Sequence, residues 1–210
     1  MKQSLVLGVL IGASGNAFSA SKEKAKAKAP VAQALESVKI DTAASIVDWK
    51  GAKVTGAHNG KIKIKEGALE WKGKDLSGGN IVIDMNSMTC DDLTDKDYNA
   101  KLIGHFKNDD FFSTEKFPTS TFKITSVKPS TVEGSTHEVT GDLTIKGQTH
   151  PLTFPAKIDT KEGVTTAQAT LKVDRTKYGI KYGSGKFFQN LGDKMIDDTF
   201  DISFNVTAKK

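Results

Sequence analysis

The 210-residue chain has one cysteine, Cys90, and one arginine, Arg175, among 30 basic residues. A lone cysteine excludes an internal disulfide, so packing and sheet hydrogen bonds must hold the fold. It also leaves a cysteine-rich zinc site without ligands. His58, His105, His137 and His150 are scattered, with no His-x-His or His-x-x-x-His pair, and read as surface or hydrogen-bonded side chains. Cys90, between Thr89 and Asp91, reads as a loop residue. No Gly-x-Ser-x-Gly elbow is present, and the spacing of Ser, His and Asp marks no triad. Gly183-Ser184-Gly185-Lys186 fails as a phosphate loop: its leading glycine is misplaced, and Phe187 stands where a magnesium-binding hydroxyl is required. No catalytic residue and no metal ligand is expected.

The apolar run Leu5 to Ala13 is too short to span a bilayer as a helix. After Met1-Lys2 and before the small residues of Ala17-Phe18-Ser19, it reads as a secretory signal over residues 1–20, with an uncleaved anchor as the rival. That reading predicts a periplasmic or secreted protein. No cysteine near the cut offers a lipoprotein anchor. The Lys/Ala-rich stretch 21–39 has too few apolar residues to pack and reads as a solvated tether. Setting aside Lys2 and the five tether lysines from the 30 basic residues, and Glu23 and Glu36 from the 25 acids, leaves a body near +1. Such a body has no electrostatic footprint for nucleic acid. The lysine tail offers at most weak, transient contact with an anionic membrane.

Period-two alternation dominates the rest of the chain. Phe200, Ile202, Phe204, Val206 and Ala208 alternate with polar residues, as do Ala167 to Val173, Leu152 to Ile158 and Val139 to Ile145. Ser45 to Lys53, Ile62 to Ile64, Leu69 to Trp71, Ile81 to Met85 and Thr119 to Val127 read as further strands. His58-Asn59-Gly60, Ser77-Gly78-Gly79 and Lys146-Gly147 read as turns. No βαβ unit appears, so the expected class is all-β: an eight-stranded antiparallel β-barrel over residues 40–210.

The rhythm breaks once. Tyr98, Leu102, Ile103 and Phe106 follow helical spacing, predicting a short helical insertion near residues 97–113 with Asp97 as N-cap. Phe106, Phe111, Phe112 and Phe117 cluster there and either plug the core or line the entrance to an apolar cavity. A barrel of about eight strands is either filled or just wide enough for one small ligand. Gly141, Ala156, Ala167, Ala169 and Ala208 on apolar faces leave room. Arg175 reads either as a structural ion pair at the rim, with Asp84 or Asp142 as partner, or as a fork for a ligand head group.

Leu102-Ile103-Gly104-His105-Phe106-Lys107-Asn108-Asp109-Asp110-Phe111-Phe112, with Glu115 to Phe122, resembles the central signature of the YceI-like family of lipid-binding proteins. Val139 to Leu152 and Arg175-Thr176-Lys177-Tyr178-Gly179-Ile180 resemble later segments of that family. The resemblance implies a lipocalin-like barrel that sequesters or carries an amphiphilic lipid: a polyisoprenoid, an isoprenoid quinone or a fatty chain. On it, Phe106, Phe111, Phe112, Phe117, Phe122, Leu143, Phe154, Ala169, Arg175 and Tyr178 are the candidate ligand-binding residues. It implies binding rather than catalysis, no cofactor beyond such a lipid, and a homodimer, for which no residue pattern speaks. A lipid-processing enzyme and a filled barrel serving as an envelope interaction protein are the rivals.

Overall fold

Strands whose apolar side chains fall on every second residue can bury one face only by curling around it. The structure, a computed structural model, describes residues 34–209. Its strands are β1 Leu35–Lys39, β2 Ile46–Lys53, β3 Gly56–Lys72, β4 Asp75–Asp84, β5 Thr119–Pro129, β6 His137–Ile145, β7 Gln148–Lys161, β8 Val164–Asp174 and β9 Ile196–Lys209. Among the described residues one α-helix, α1 Lys96–Lys107, lies between β4 and β5. From β2 to β9 each strand pairs antiparallel with the next, and β9 returns to β2, with Trp49 opposite Ile202 and Val47 opposite Phe204. The result is the expected closed eight-stranded antiparallel barrel.

Residues 35–39, expected in the tether, form β1 instead. The first half of β3 pairs with β2, and Ala68–Lys72 would then present an open edge on that side. β1 covers this edge, and the Ile40–Ala208 bridge joins its continuation to β9. Val38 and Ile40 supply the apolar residues and are buried. The expected signal and the first part of the tether lie outside the described residues.

Two expected turns are strand. His58-Asn59-Gly60 lies inside β3 and Ser77-Gly78-Gly79 inside β4; the β3–β4 turn is at Gly73-Lys74. Gly60 is needed for space: a Cβ there would lie 1.9 Å from the Thr89 carbonyl oxygen, because the strap 88–92 crosses β3 at that point. Lys146-Gly147 is a turn as expected, with φ positive at both residues (51° and 73°), the twist a tight hairpin requires.

The helix is capped two residues earlier than expected, by Asp95 in place of Asp97. The Asp95 carboxylate accepts from the amides of Asp97 and Tyr98 at 3.0 Å each, while Asp97 sits in the first turn, where its charge complements the positive end of the helix dipole. Leu102, Ile103 and Phe106 pack on the core; Tyr98, expected on that face, points to solvent. Residues 108–117 then turn back toward β5.

Candidate functional site

The barrel is hollow. A cavity of about 440 Å³ runs between its walls, within the ~300–1,000 Å³ usual for small-molecule sites. Its wall is aliphatic and aromatic, with Val47, Ile62, Leu143, Phe154 and Ile202 among the residues that line it. Phe122, Phe154 and Phe204 pack tilted or edge-on, with centroids 5.6 and 5.8 Å apart. Polar lining residues include Lys53 at the end of β2, His105 on α1, and Asp197 and Thr199 at the start of β9. Those segments, with Gly56, lie at the end of the barrel that carries α1, and we place the mouth there.

Aromatic rings frame that mouth. Phe106 meets Trp49 edge-on at 5.4 Å and Phe111 at 5.2 Å, and Phe112 meets Phe200 at 6.4 Å. Trp49 is fixed by its indole N–H, which donates to the Thr89 carbonyl at 2.9 Å. The strap that makes Gly60 necessary therefore also holds the ring against which α1 packs.

A model of the YceI-like domain matches residues 38–208. The chain belongs to the YceI-like family. It is 31% identical to Protein YceI of Shigella flexneri and to that of Salmonella arizonae, in each case over 99 residues, 47% of this chain and 48% of the relative. The chain thus matches about half the length of these curated relatives. Burkholderia cenocepacia BcnA superposes with TM-score 0.64 at 24% identity, covering 81% of this chain and 99% of that one. A polyisoprenoid binding domain from Saccharophagus degradans, implicated in plant cell wall breakdown, superposes at 0.59 with 16% identity, covering 84% and 99%. At these identities the two structures establish a shared fold.

In this YceI-like barrel, seven of the ten candidate ligand-binding residues line the cavity: Phe106, Phe111, Phe112, Phe122, Leu143, Phe154 and Arg175. Three do not. Phe117 covers the β6–β7 turn, its ring lying 2.9 Å from where a Cβ on Gly147 would be. Ala169 stands opposite Phe204 in the β8–β9 register, and the phenylalanine ring lines the wall there. Tyr178 is buried beneath the rim, edge-on to His150 at 5.2 Å, and burial raises its phenol pKa. The room left by Gly141 is taken by Phe122, whose ring lies 2.5 Å from where a Cβ would be.

Arg175 is structural in its bonding. Nε donates to the Asp197 carbonyl at 2.8 Å, Nη1 to those of Ile180 and Tyr182 at 3.0 and 2.8 Å, and Nη2 to that of Ile196 at 3.0 Å. Its charge partner is Asp198, 3.9 Å away, in place of Asp84 or Asp142. Burial lowers its pKa, and Asp198, then Asp174 and Asp197, oppose the shift. Asp84 instead accepts from the Asn86 amide at the end of β4.

Sequence spacing concealed one cluster. His58 Nδ1 lies 2.8 Å from Asp92 Oδ2, and the Cys90 thiol donates to Asp92 Oδ1 at 3.4 Å. One ligand atom from each residue lies within 4.8 Å of the others, a donor set able to hold a metal ion. The Asn59 amide also donates to Asp92, and this bond, helped by His58 and Cys90 against the opposing effect of burial, lowers the carboxyl pKa from 3.8 to about 2. His105 similarly faces Asp110 at 3.3 Å. Among the described residues no hydroxyl or thiol is hydrogen-bonded to either of these two histidines.

Proposed function

We propose that the protein is an exported binding protein that shelters the chain of an amphiphilic lipid in its lumen and carries it without chemical change. The observation that supports this most is the apolar cavity of about 440 Å³ opening through an aromatic mouth. At roughly 30 Å³ per water-sized group, it admits on the order of fifteen such groups. A fatty chain or a short isoprenoid fits inside, and a longer polyisoprenoid or quinone tail extends through the mouth. Each buried methylene contributes about 0.8 kcal/mol, independent of chain identity. Selectivity then falls to chain length and to the polar groups at the mouth, Lys53, His105, Asp197 and Thr199.

The test is native mass spectrometry of protein purified from a bacterial host, followed by organic extraction and identification of the released species. A stoichiometric lipid is expected. An empty protein that takes up no added isoprenoid or fatty chain would sink the reading. Chemical conversion of an added lipid would replace it with the enzyme alternative.

A further inference from the structure

The mouth carries an apolar rim that the barrel leaves uncovered. Val54, Tyr182, Phe187, Phe188 and Met195 are between 39% and 55% exposed. They lie on the β2–β3 turn and on the segment between β8 and β9, at the end of the barrel that carries α1. The Val54 amide donates to the Met195 carbonyl at 3.1 Å, and the Met195 sulfur lies 2.9 Å from where a Cβ on Gly185 would be. Tyr182 packs on His105 at 4.7 Å and on Phe111 at 5.6 Å, both of which line the lumen.

The loop carrying these rings is anchored at its root. Ser184 is fully buried, and its carbonyl accepts from the Phe187 and Phe188 amides at 3.1 and 3.0 Å; the Ile196 amide donates to Gly183 at 2.8 Å. The two phenylalanines are therefore held toward solvent by a fixed base. The same segment is rich in lysine. Residues 177–195 contain Lys177, Lys181, Lys186 and Lys194 against one acid, Asp193, with Asp174, Asp197 and Asp198 flanking the segment beside Arg175 and Lys186, and Lys53 lies across from Ile196. Lys181 Nζ sits 4.8 Å over the Phe187 ring. Lys186 is held by Asp174 and Asp198, whereas Lys53, Lys177, Lys181 and Lys194 have no ion-pair partner among the described residues.

We propose that this rim docks the cavity mouth onto an anionic phospholipid surface. Aromatic rings at headgroup depth with lysines beside them match such a surface in polarity and in charge. A second copy fits less well, because a two-fold contact through this patch would set its lysines against themselves. The inference deepens the lipid-carrier reading and rests on it: docking would let a chain pass between bilayer and lumen without crossing water.

The experiment is sedimentation of the full chain with phosphatidylcholine vesicles, with and without phosphatidylglycerol, alongside Phe187→Ser/Phe188→Ser and Lys181→Glu/Lys194→Glu variants. All forms carry the same residues 1–33, so any attraction from that segment is common to them. The expected result is binding to the anionic vesicles that weakens at high salt and falls at least fivefold in both variants. Circular dichroism and extracted lipid content should stay at the level of the unsubstituted chain. Absent binding, or binding that neither variant changes, overturns the proposal, as does a dimer that the phenylalanine variant dissolves in a protein indifferent to vesicles. Extracted lipid without vesicle binding refutes docking alone. Rim-dependent binding by a protein that holds no lipid refutes the carrier reading alone.

Discussion

At the scale of single residues, Arg175 shows what a solitary arginine can be kept for. Its four bonds go to carbonyls on both sides of the mouth loop, those of Ile180 and Tyr182 before it and of Ile196 and Asp197 after it. A lysine has three donors on one nitrogen and cannot span that set. Buried carbonyls left without a partner cost about 1–3 kcal/mol each. Arg175→Lys should therefore destabilise the fold by at least about 2 kcal/mol, read as a lower urea midpoint; an unchanged midpoint would contradict this bonding role. Asp92 gives a second prediction, in pH. Its folded pKa of about 2 lies below its usual 3.8, so its contribution is fully present above about pH 4 and is lost as pH falls toward 2. The stability gap between the unsubstituted chain and Asp92→Asn should be larger at pH 5 than at pH 2. A gap independent of pH would mean that the carboxylate's charge does not hold the strap.

At the scale of elements, α1 and the strap 88–92 form one device. The strap crosses β3 at Gly60, fixes Trp49 through Thr89, and Trp49 meets Phe106 of the helix. Gly60→Ala should displace the strap and destabilise the protein by about 2 kcal/mol, in the usual range for overpacking. It should also raise amide exchange across α1, measured peptide by peptide; unchanged exchange there would uncouple strap from helix. The strands themselves were legible because alternation is local and repeated, and the helix because it broke that rhythm. Gly60 and Gly78-Gly79 were misread for a physical reason. A glycine that makes room for the strap's backbone (Gly60), for the Glu70 side chain (Gly78) or for the Ala68 carbonyl of the paired strand (Gly79) looks, in sequence, like a glycine making a turn. Likewise the cavity aromatics were largely legible, since large apolar residues in a polar stretch need burial, but Phe117 and Tyr178 satisfy that need elsewhere. The His58, Cys90 and Asp92 cluster left no signal, because only the pairing of β3 with the strap unites residues 32 and 34 positions apart.

At the scale of the whole molecule, closure of the sheet and hollowness of its interior are separate properties, and only the second bears on carriage. Closure follows from strand number and pairing, and a barrel of this size can equally be filled. Here the rings of Phe122, Phe154 and Phe204 line the wall and leave the lumen open. Adding side-chain volume inside should then abolish binding without disturbing the wall. Ala167 on β8 and Ile83 on β4 both line the cavity, and neither takes part in the mouth loop. Ala167→Phe with Ile83→Phe should cut extracted lipid at least tenfold. Overpacking ordinarily costs about 1–3 kcal/mol, but new rings entering open space lose less, so the thermal midpoint should stay within a few degrees of the parent. Lipid retained at the parental level in the folded double variant would show that the chain binds somewhere other than the lumen. A variant that unfolds would show that the lumen has no spare room, and the carrier reading would fall with it.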